Sequence, residues 1–151
     1  WLEGLMANGV RFYEDNGATT RAVAAGEIEV GLVNHYYKFE VEAEDGSVPI
    51  ENHYFEIGDP GSFVNTAAVG ILASAEHADA ARRFVDYVTG EEGQSWVATE
   101  TWEYPVAPGH EPSVDILAIG RFVGPESQVD LSDLGPALPG ALQLLAEVGM
   151  V

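Results

Sequence analysis

Two consecutive tyrosines, Tyr36 and Tyr37, follow a short apolar run and an asparagine, Asn34. The apolar run, residues 28–33, is rich in β-branched side chains and predicts the end of a buried strand. In a continuing strand the two phenols would point to opposite faces, and on a helix they would lie about 100° apart. At a turn from strand to helix they can converge on one point. Open α/β sheets bind their ligands at such turns, beyond the carboxyl ends of the strands.

Two converging phenols would suit a hard, highly charged cation. A free tyrosine has a pKa of about 10 and is a poor ligand while protonated. A bound metal ion can deprotonate a coordinating group, and the resulting phenolate oxygen suits Fe(III) better than soft or weakly charged ions. The alternative is an ordinary pair of half-buried tyrosines with their hydroxyls in water. Spacing alone leaves both interpretations open.

The elements before the tyrosines form a predicted βαβ unit. A strand at residues 10–13, a turn at 14–17, a helix at 19–25 and a strand at 29–33 follow one another along the chain. This order predicts an α/β fold with parallel strands and a right-handed crossover. It places Asn16 and Asn34 at the carboxyl ends of neighbouring strands, facing the same crevice as the phenols. A helix is predicted over residues 35–44, with His35 as a solvent-facing residue at its start.

Further elements are predicted downstream from apolar periodicity and from Gly and Pro signals. The first two are a strand at 52–57 closed by Gly58-Asp59-Pro60-Gly61 and a buried strand or crossing segment at 63–73. Two helices follow: one is capped by Ser74 and stopped by Gly90, and the other begins at Glu91 with Trp96 and Val97 on its buried face. The remaining elements are an extended segment at 103–106, a short apolar run at 116–119 and a helix at 139–148.

Composition excludes several classes of protein. The 151 residues are 46% hydrophobic, which supports a folded core, and their formal charge of −19 disfavours binding to nucleic acid or to anionic membranes. Without cysteine the chain has no disulfide or thiolate metal site, and no apolar run suggests stable membrane insertion. The acidic residues Glu40, Glu42, Glu44 and Asp45 lack the spacing of a calcium loop, and the four scattered histidines do not suggest a zinc site. The first residues resemble the end of an amphipathic helix, so we expect a fragment of a longer protein.

Several motifs recur in the order typical of one family, the ferric-iron-binding periplasmic proteins that serve as solute receptors of bacterial iron ABC transporters. The motifs are Asn16-Gly-Ala-Thr-Thr-Arg-Ala-Val-Ala-Ala-Gly-Glu-Ile, Gly31-Leu-Val-Asn-His-Tyr-Tyr, Gly58-Asp-Pro-Gly-Ser, Val69-Gly-Ile-Leu, Ala80-Ala-Arg-Arg-Phe-Val-Asp-Tyr-Val, Gly90-Glu-Glu-Gly-Gln and Glu103-Tyr-Pro-Val. The chain resembles the C-terminal portion of these proteins over residues 1–108, and more weakly to residue 151.

The resemblance implies an α/β, type II periplasmic-binding-protein-like (transferrin-like) fold with two lobes. Residues 1–62 would belong to the second lobe, residues 63–108 would cross into the first lobe, and residues 109–151 would return to the second. By the same match, Tyr36 and Tyr37 would bind Fe(III), while Asn16 and Asn34 would hold a synergistic anion such as phosphate or carbonate.

The resemblance also implies a partner and a place in the cell. The protein would deliver Fe(III) to an ABC transporter permease, from the periplasm or the extracellular face of the cytoplasmic membrane, where a lipid anchor could hold the full-length protein. Family members generally take a histidine and an acidic ligand from the first lobe, and the resemblance leads us to expect that this chain begins after both. Position 35 is His where the family often has Asn.

Three rival functions remain open. The first is a receptor of the same fold for another solute, such as a polyamine, thiamine, sulfate or an organophosphate. The second is an enzyme that uses the phenols or clustered carboxylates as acid and base, although no Gly-x-Ser-x-Gly, phosphate-binding glycine loop or His-Glu-x-x-His motif is present. The third is a domain without a ligand that self-associates. We expect a binding protein and not an enzyme.

Overall fold

The computed structural model describes residues 1–56, 58–59, 61–113 and 130–151. Within these residues it contains α-helices and one 3₁₀ turn, Leu131–Asp133. The helices are α1 (Leu2–Ala7), α2 (Asn16–Ala24), α3 (Tyr37–Asp45), α4 (Ala78–Thr89), α5 (Glu91–Glu100) and α6 (Leu134–Glu147). None of these helices has the length and apolar character needed to cross a membrane.

Helices α2 and α3 pack against each other and form the first helix pair. Helix α2 begins at Asn16, three residues before its predicted start, because the Asp15 carboxylate caps it by accepting a hydrogen bond from the Ala18 N–H at 2.7 Å. Val41 of α3 is 1% exposed and is the most deeply buried large side chain described. Arg21 contacts Glu44 and Asp45 at the end of α3.

Helices α4 and α5 form the second helix pair. Gly90 separates them, as predicted, but α4 starts after His77 and not at Ser74, and His77 makes no side-chain capping bond. Of the two residues predicted for the buried face of α5, Trp96 was wrong, since it is 58% exposed, whereas Val97 is half-buried.

The buried residues of α5 are Gly93, Gln94 and Ala98. Gln94 of α5 is bonded both to α4 and to the segment that follows the pair: its Nε2 donates to the Val88 carbonyl, and its Oε1 accepts from the N–H groups of Val106 and Ala107. These bonds satisfy a polar side chain that would be costly to bury alone.

The predicted strands are not formed in the described part of the chain. Residues 29–33, 52–56 and 63–73, called the extended segments below, are without strand pairing there. A strand needs a neighbouring segment in hydrogen-bonding register, and a local sequence pattern does not guarantee one. Ile57 and Pro60 of the predicted strand and turn, and the apolar run at 116–119, lie outside the described residues.

The C-terminal helix is longer than predicted. Helix α6 begins at Leu134, five residues before Pro139, so that proline lies inside the helix. The preceding 3₁₀ turn is fixed by the Asp130 carboxylate, which accepts a hydrogen bond from the Ser132 N–H at 2.8 Å. This bond also lowers the pKa of Asp130.

Candidate metal centre

The two tyrosines lie at the start of α3, where an irregular segment turns into the helix. Tyr36 is the N-cap residue and Tyr37 is the first helical residue. Their ring centroids are 4.6 Å apart, and the ring planes are inclined at 42°. The junction between loop and helix thus holds two phenols side by side, although no strand precedes it.

Asn34 contacts Tyr36 directly. Its Nδ2 donates a hydrogen bond to the Tyr36 hydroxyl oxygen at 3.0 Å, and its backbone carbonyl accepts from the Tyr37 N–H at 3.3 Å. The structure therefore brings together three of the four residues that the sequence singles out.

Asn16 lies at a different place, in the first turn of α2. It is exposed, and its backbone carbonyl accepts a hydrogen bond from the Thr20 hydroxyl. Among the described contacts, its side chain makes no hydrogen bond to Asn34 or to the tyrosines.

The surroundings of Tyr36 favour its neutral form. Burial is the largest influence on the pKa of Tyr36 and raises it; a hydrogen bond with Tyr37 and the charge of Glu103 raise it further, while the bond from Asn34 lowers it. Burial also raises the pKa of Tyr54, and it raises the pKa of Tyr104 to about 12. A cation that binds here must therefore displace protons from the phenols it uses.

A cavity of about 790 Å³ opens beside this cluster. Asn34, His35 and Tyr36 line one side, and Glu103 and Tyr104 also contribute to its wall. Much of the remaining wall comes from the extended segments. Of the two tyrosines, Tyr36 is the one that lines the cavity.

His35 is not the solvent-facing residue that was expected. It is half-buried, and its Nε2 lies 2.7 Å from the Trp102 carbonyl oxygen. Burial lowers its pKa and favours the neutral imidazole. Because a carbonyl oxygen can only accept, Nε2 must carry the proton and donate it.

Sequence reasoning missed the residues that surround His35. Trp102 and Tyr104 flank Glu103 in the Glu103-Tyr-Pro-Val motif, and Asn52 starts an extended segment. The motif was recognised in the sequence, but nothing local connected it to a loop 67 positions earlier. In the described residues, no group of three or more His, Cys, Asp or Glu side chains could hold a metal ion.

The sequence model of a family described as bacterial extracellular solute-binding proteins matches residues 2–95. The Fe(3+)-binding periplasmic protein of Serratia marcescens is 31% identical over 154 residues, which cover 100% of this chain and 44% of that protein. Iron uptake protein A2 of a Synechocystis strain is 33% identical, over 99% of this chain and 45% of that protein.

A solved structure agrees with these sequence matches. The crystal structure of iron-bound HitA from Pseudomonas aeruginosa is similar to this chain, with a TM-score of 0.89 and 32% identity over 99% of this chain and 47% of HitA. The chain thus has the backbone arrangement of part of a periplasmic binding protein. It spans less than half the length of the relatives it matches.

Proposed function

This chain belongs to the bacterial extracellular solute-binding proteins, and we propose that it takes part in capturing ferric iron through Tyr36 and Tyr37. The observation that carries the proposal is the pair of adjacent phenols at the start of α3, 4.6 Å apart between ring centroids. The names of the relatives and the iron-bound neighbour support Fe(III) as the solute.

The chemistry of binding follows from the protonation of the two phenols. Fe(III) would replace the protons of Tyr36 and Tyr37 and bind the phenolate oxygens, so binding releases protons and strengthens as pH rises. The raised pKa of Tyr36 adds the same deprotonation cost for every cation, and a trivalent ion offsets that cost best because it interacts most strongly with a phenolate oxygen. The site would thereby select against divalent cations.

We assign the anion-holding role to Asn34 and Asn16. Asn34 already directs its amide at the Tyr36 oxygen, so its second N–H can reach an anion bound beside the phenolate. Asn16 would contribute from the first turn of α2, where the helix dipole favours negative charge. Phosphate, carbonate or a similar oxyanion would share the coordination sphere with the phenolates.

The wider assignment concerns the whole protein. We propose an α/β receptor with two lobes, to which this chain gives residues 1–62 and 109–151 of the second lobe and residues 63–108 of the crossover and first lobe. It would work outside the cytoplasmic membrane, with or without a lipid anchor, and would deliver Fe(III) to an ABC transporter permease. It would carry out no covalent chemistry.

A second candidate solute is an organic cation such as a polyamine. The cavity beside Tyr36 also carries Tyr54, Tyr104 and the carboxylates of Glu51 and Glu103. Aromatic faces and carboxylates attract ammonium groups even when the phenols are protonated. Such a solute would not depend on the two phenol oxygens.

A visible-absorption titration distinguishes the two solutes. The chain is titrated with chelated Fe(III), alongside the double variant Tyr36→Phe/Tyr37→Phe and a control, Tyr13→Phe/Tyr87→Phe, which removes two phenols elsewhere. We expect a phenolate-to-iron charge-transfer band in the parent and the control and none in the double variant.

The result also separates specific binding from adsorption of iron to the acidic surface, because carboxylates alone give no phenolate band. A band that persists in the double variant, or a parent without one, would contradict the proposal. Polyamine binding that survives in the double variant would then favour the organic cation.

A further inference from the structure

The residues on both sides of the tyrosine pair are held by Trp102, far along the chain. On one side, the His35 Nε2–H donates to the Trp102 carbonyl at 2.7 Å. On the other side, the Phe39 ring stacks on the Trp102 ring, with centroids 6.1 Å apart and planes inclined at 24°. One residue thus contacts both ends of the segment that carries Tyr36 and Tyr37.

His35 is fixed by further contacts. The Asn52 Nδ2 donates to the His35 carbonyl at 2.8 Å, so both the backbone and the side chain of His35 are bonded to distant segments. The imidazole lies 5.0 Å from the Tyr104 ring and meets the Tyr36 ring nearly edge-on, at 5.6 Å and 78°. The ring next to the first phenol therefore has little freedom to turn.

Trp102 adopts an unusual backbone conformation. Its φ is +52°, and it is the single residue other than glycine with a positive φ among the described residues. It follows Thr101, the C-cap of α5, at a position where helices commonly place glycine. A non-glycine residue there is strained, and such strain persists only where the surroundings impose it. Glycine would remove the strain and also the ring that contacts Phe39.

We infer that His35, Asn52 and Trp102 form a tyrosine brace that fixes the direction of the Tyr36 and Tyr37 phenols before any ion binds. The three are positioning residues, and none of them needs to touch the iron. The effect of the tyrosine brace on iron binding rests on the proposed function. A preordered pair of tyrosines loses less conformational freedom when the ion binds, and it therefore holds the ion more tightly.

The brace is tested first without metal. Ring-¹³C-tyrosine NMR spectra are recorded for the iron-free parent, His35→Phe, His35→Gln and His77→Phe, with signals assigned from single Tyr→Phe variants. His35→Phe keeps a ring but loses the donor, whereas His35→Gln keeps an N–H at a similar reach. His77 is exposed and serves as the control.

We expect the Tyr36 and Tyr37 signals to broaden in His35→Phe and to keep the parent linewidths in His35→Gln, where loss of the imidazole ring current changes only their positions. Signals that broaden no more in His35→Phe than in His77→Phe would overturn the brace. If His35→Phe fails to fold, Asn52→Ala replaces it, since that change removes the donor to the His35 carbonyl, together with the hydrogen bond between Asn52 and Tyr54, and leaves the imidazole itself in place.

Iron affinity gives the second readout, measured by competition with citrate. Loss of a group that orients a metal ligand typically weakens binding by about 10–100-fold, which is the decrease expected for His35→Phe. His35→Gln should recover most of this affinity. A parent that gives no charge-transfer band would refute the ferric site, while the metal-free spectra would still decide whether the brace exists.

Discussion

The two helix pairs and the extended segments carry similar apolar patterns but differ in what surrounds them. In the helix pairs, Val41 is 1% exposed and Gln94 has its polar atoms bonded. In the extended segments, Val30 is 76% exposed and Leu72 is also 76% exposed. Apolar residues contribute to stability only where other residues remove them from water. The difference indicates that the buried contacts of Val41 and Gln94 in the helix pairs contribute more to stability than Val30 and Leu72 do in the extended segments.

The largest difference is expected from matched glycine substitutions. An added Cβ at Gly93 of α5 would lie 2.6 Å from the Val88 Cα, whereas one at Gly70 in an extended segment would meet nothing within 4 Å. Because backbone atoms cannot move aside cheaply, we expect Gly93→Ala to lower the free energy of unfolding by about 3 kcal/mol.

We expect Gly70→Ala to change the free energy of unfolding by less than about 0.5 kcal/mol. Urea denaturation of both variants measures the contrast. Equal losses in the two variants would show that the extended segments are packed as tightly as the helix pairs.

The next comparison uses one substitution at two sites. Val41→Ala removes buried methyl groups between α2 and α3 and should cost about 2 kcal/mol of unfolding free energy. Val30→Ala removes the same atoms from a largely exposed side chain and should cost less than about 0.5 kcal/mol. Thermal unfolding monitored by circular dichroism provides the measurement. A loss at Val30 as large as that at Val41 would contradict the larger contribution of the buried contacts in the helix pairs.

A smaller effect is expected at alkaline pH. The pKa of Tyr104 is raised to about 12 in the folded chain, against about 10 for an unfolded tyrosine. The folded state therefore favours the neutral phenol, and this contribution is present below about pH 10 and is lost as pH rises towards about 12.

Unfolding free energies of the parent, Tyr104→Phe and the exposed control Tyr87→Phe are compared across this range. The parent and the control should lose stability relative to Tyr104→Phe as pH rises. Parallel curves for all three proteins would argue against burial as the cause of the Tyr104 shift.

Local sequence signals were sufficient to predict that most of the helices exist. Gly26 and Gly90 mark helix ends because each stops a periodic apolar pattern, and the tyrosine pair was recognised from its position after an apolar run. Helix starts were less accurate: the side chain of Asp15 determines where α2 begins, while Ser74 could have capped α4 but does not.

What the sequence could not supply were contacts between distant positions. The bond from His35 to Trp102 joins residues 67 positions apart, and no periodicity or turn signal reports it. Strand pairing fails for the same reason, since residues 29–33 have the composition of a strand but no paired neighbour in the described chain. Family resemblance, unlike local pattern, identified the relatives correctly because it uses the order of several motifs at once.

Resonance Raman spectroscopy of the iron-loaded chain, excited within its visible absorption band, shows whether Tyr36 and Tyr37 bind the metal. We expect phenolate ring modes that weaken in Tyr36→Phe, weaken in Tyr37→Phe and vanish in the double variant. Loaded iron without phenolate modes, or modes unchanged in all three variants, would show that Tyr36 and Tyr37 do not bind the metal.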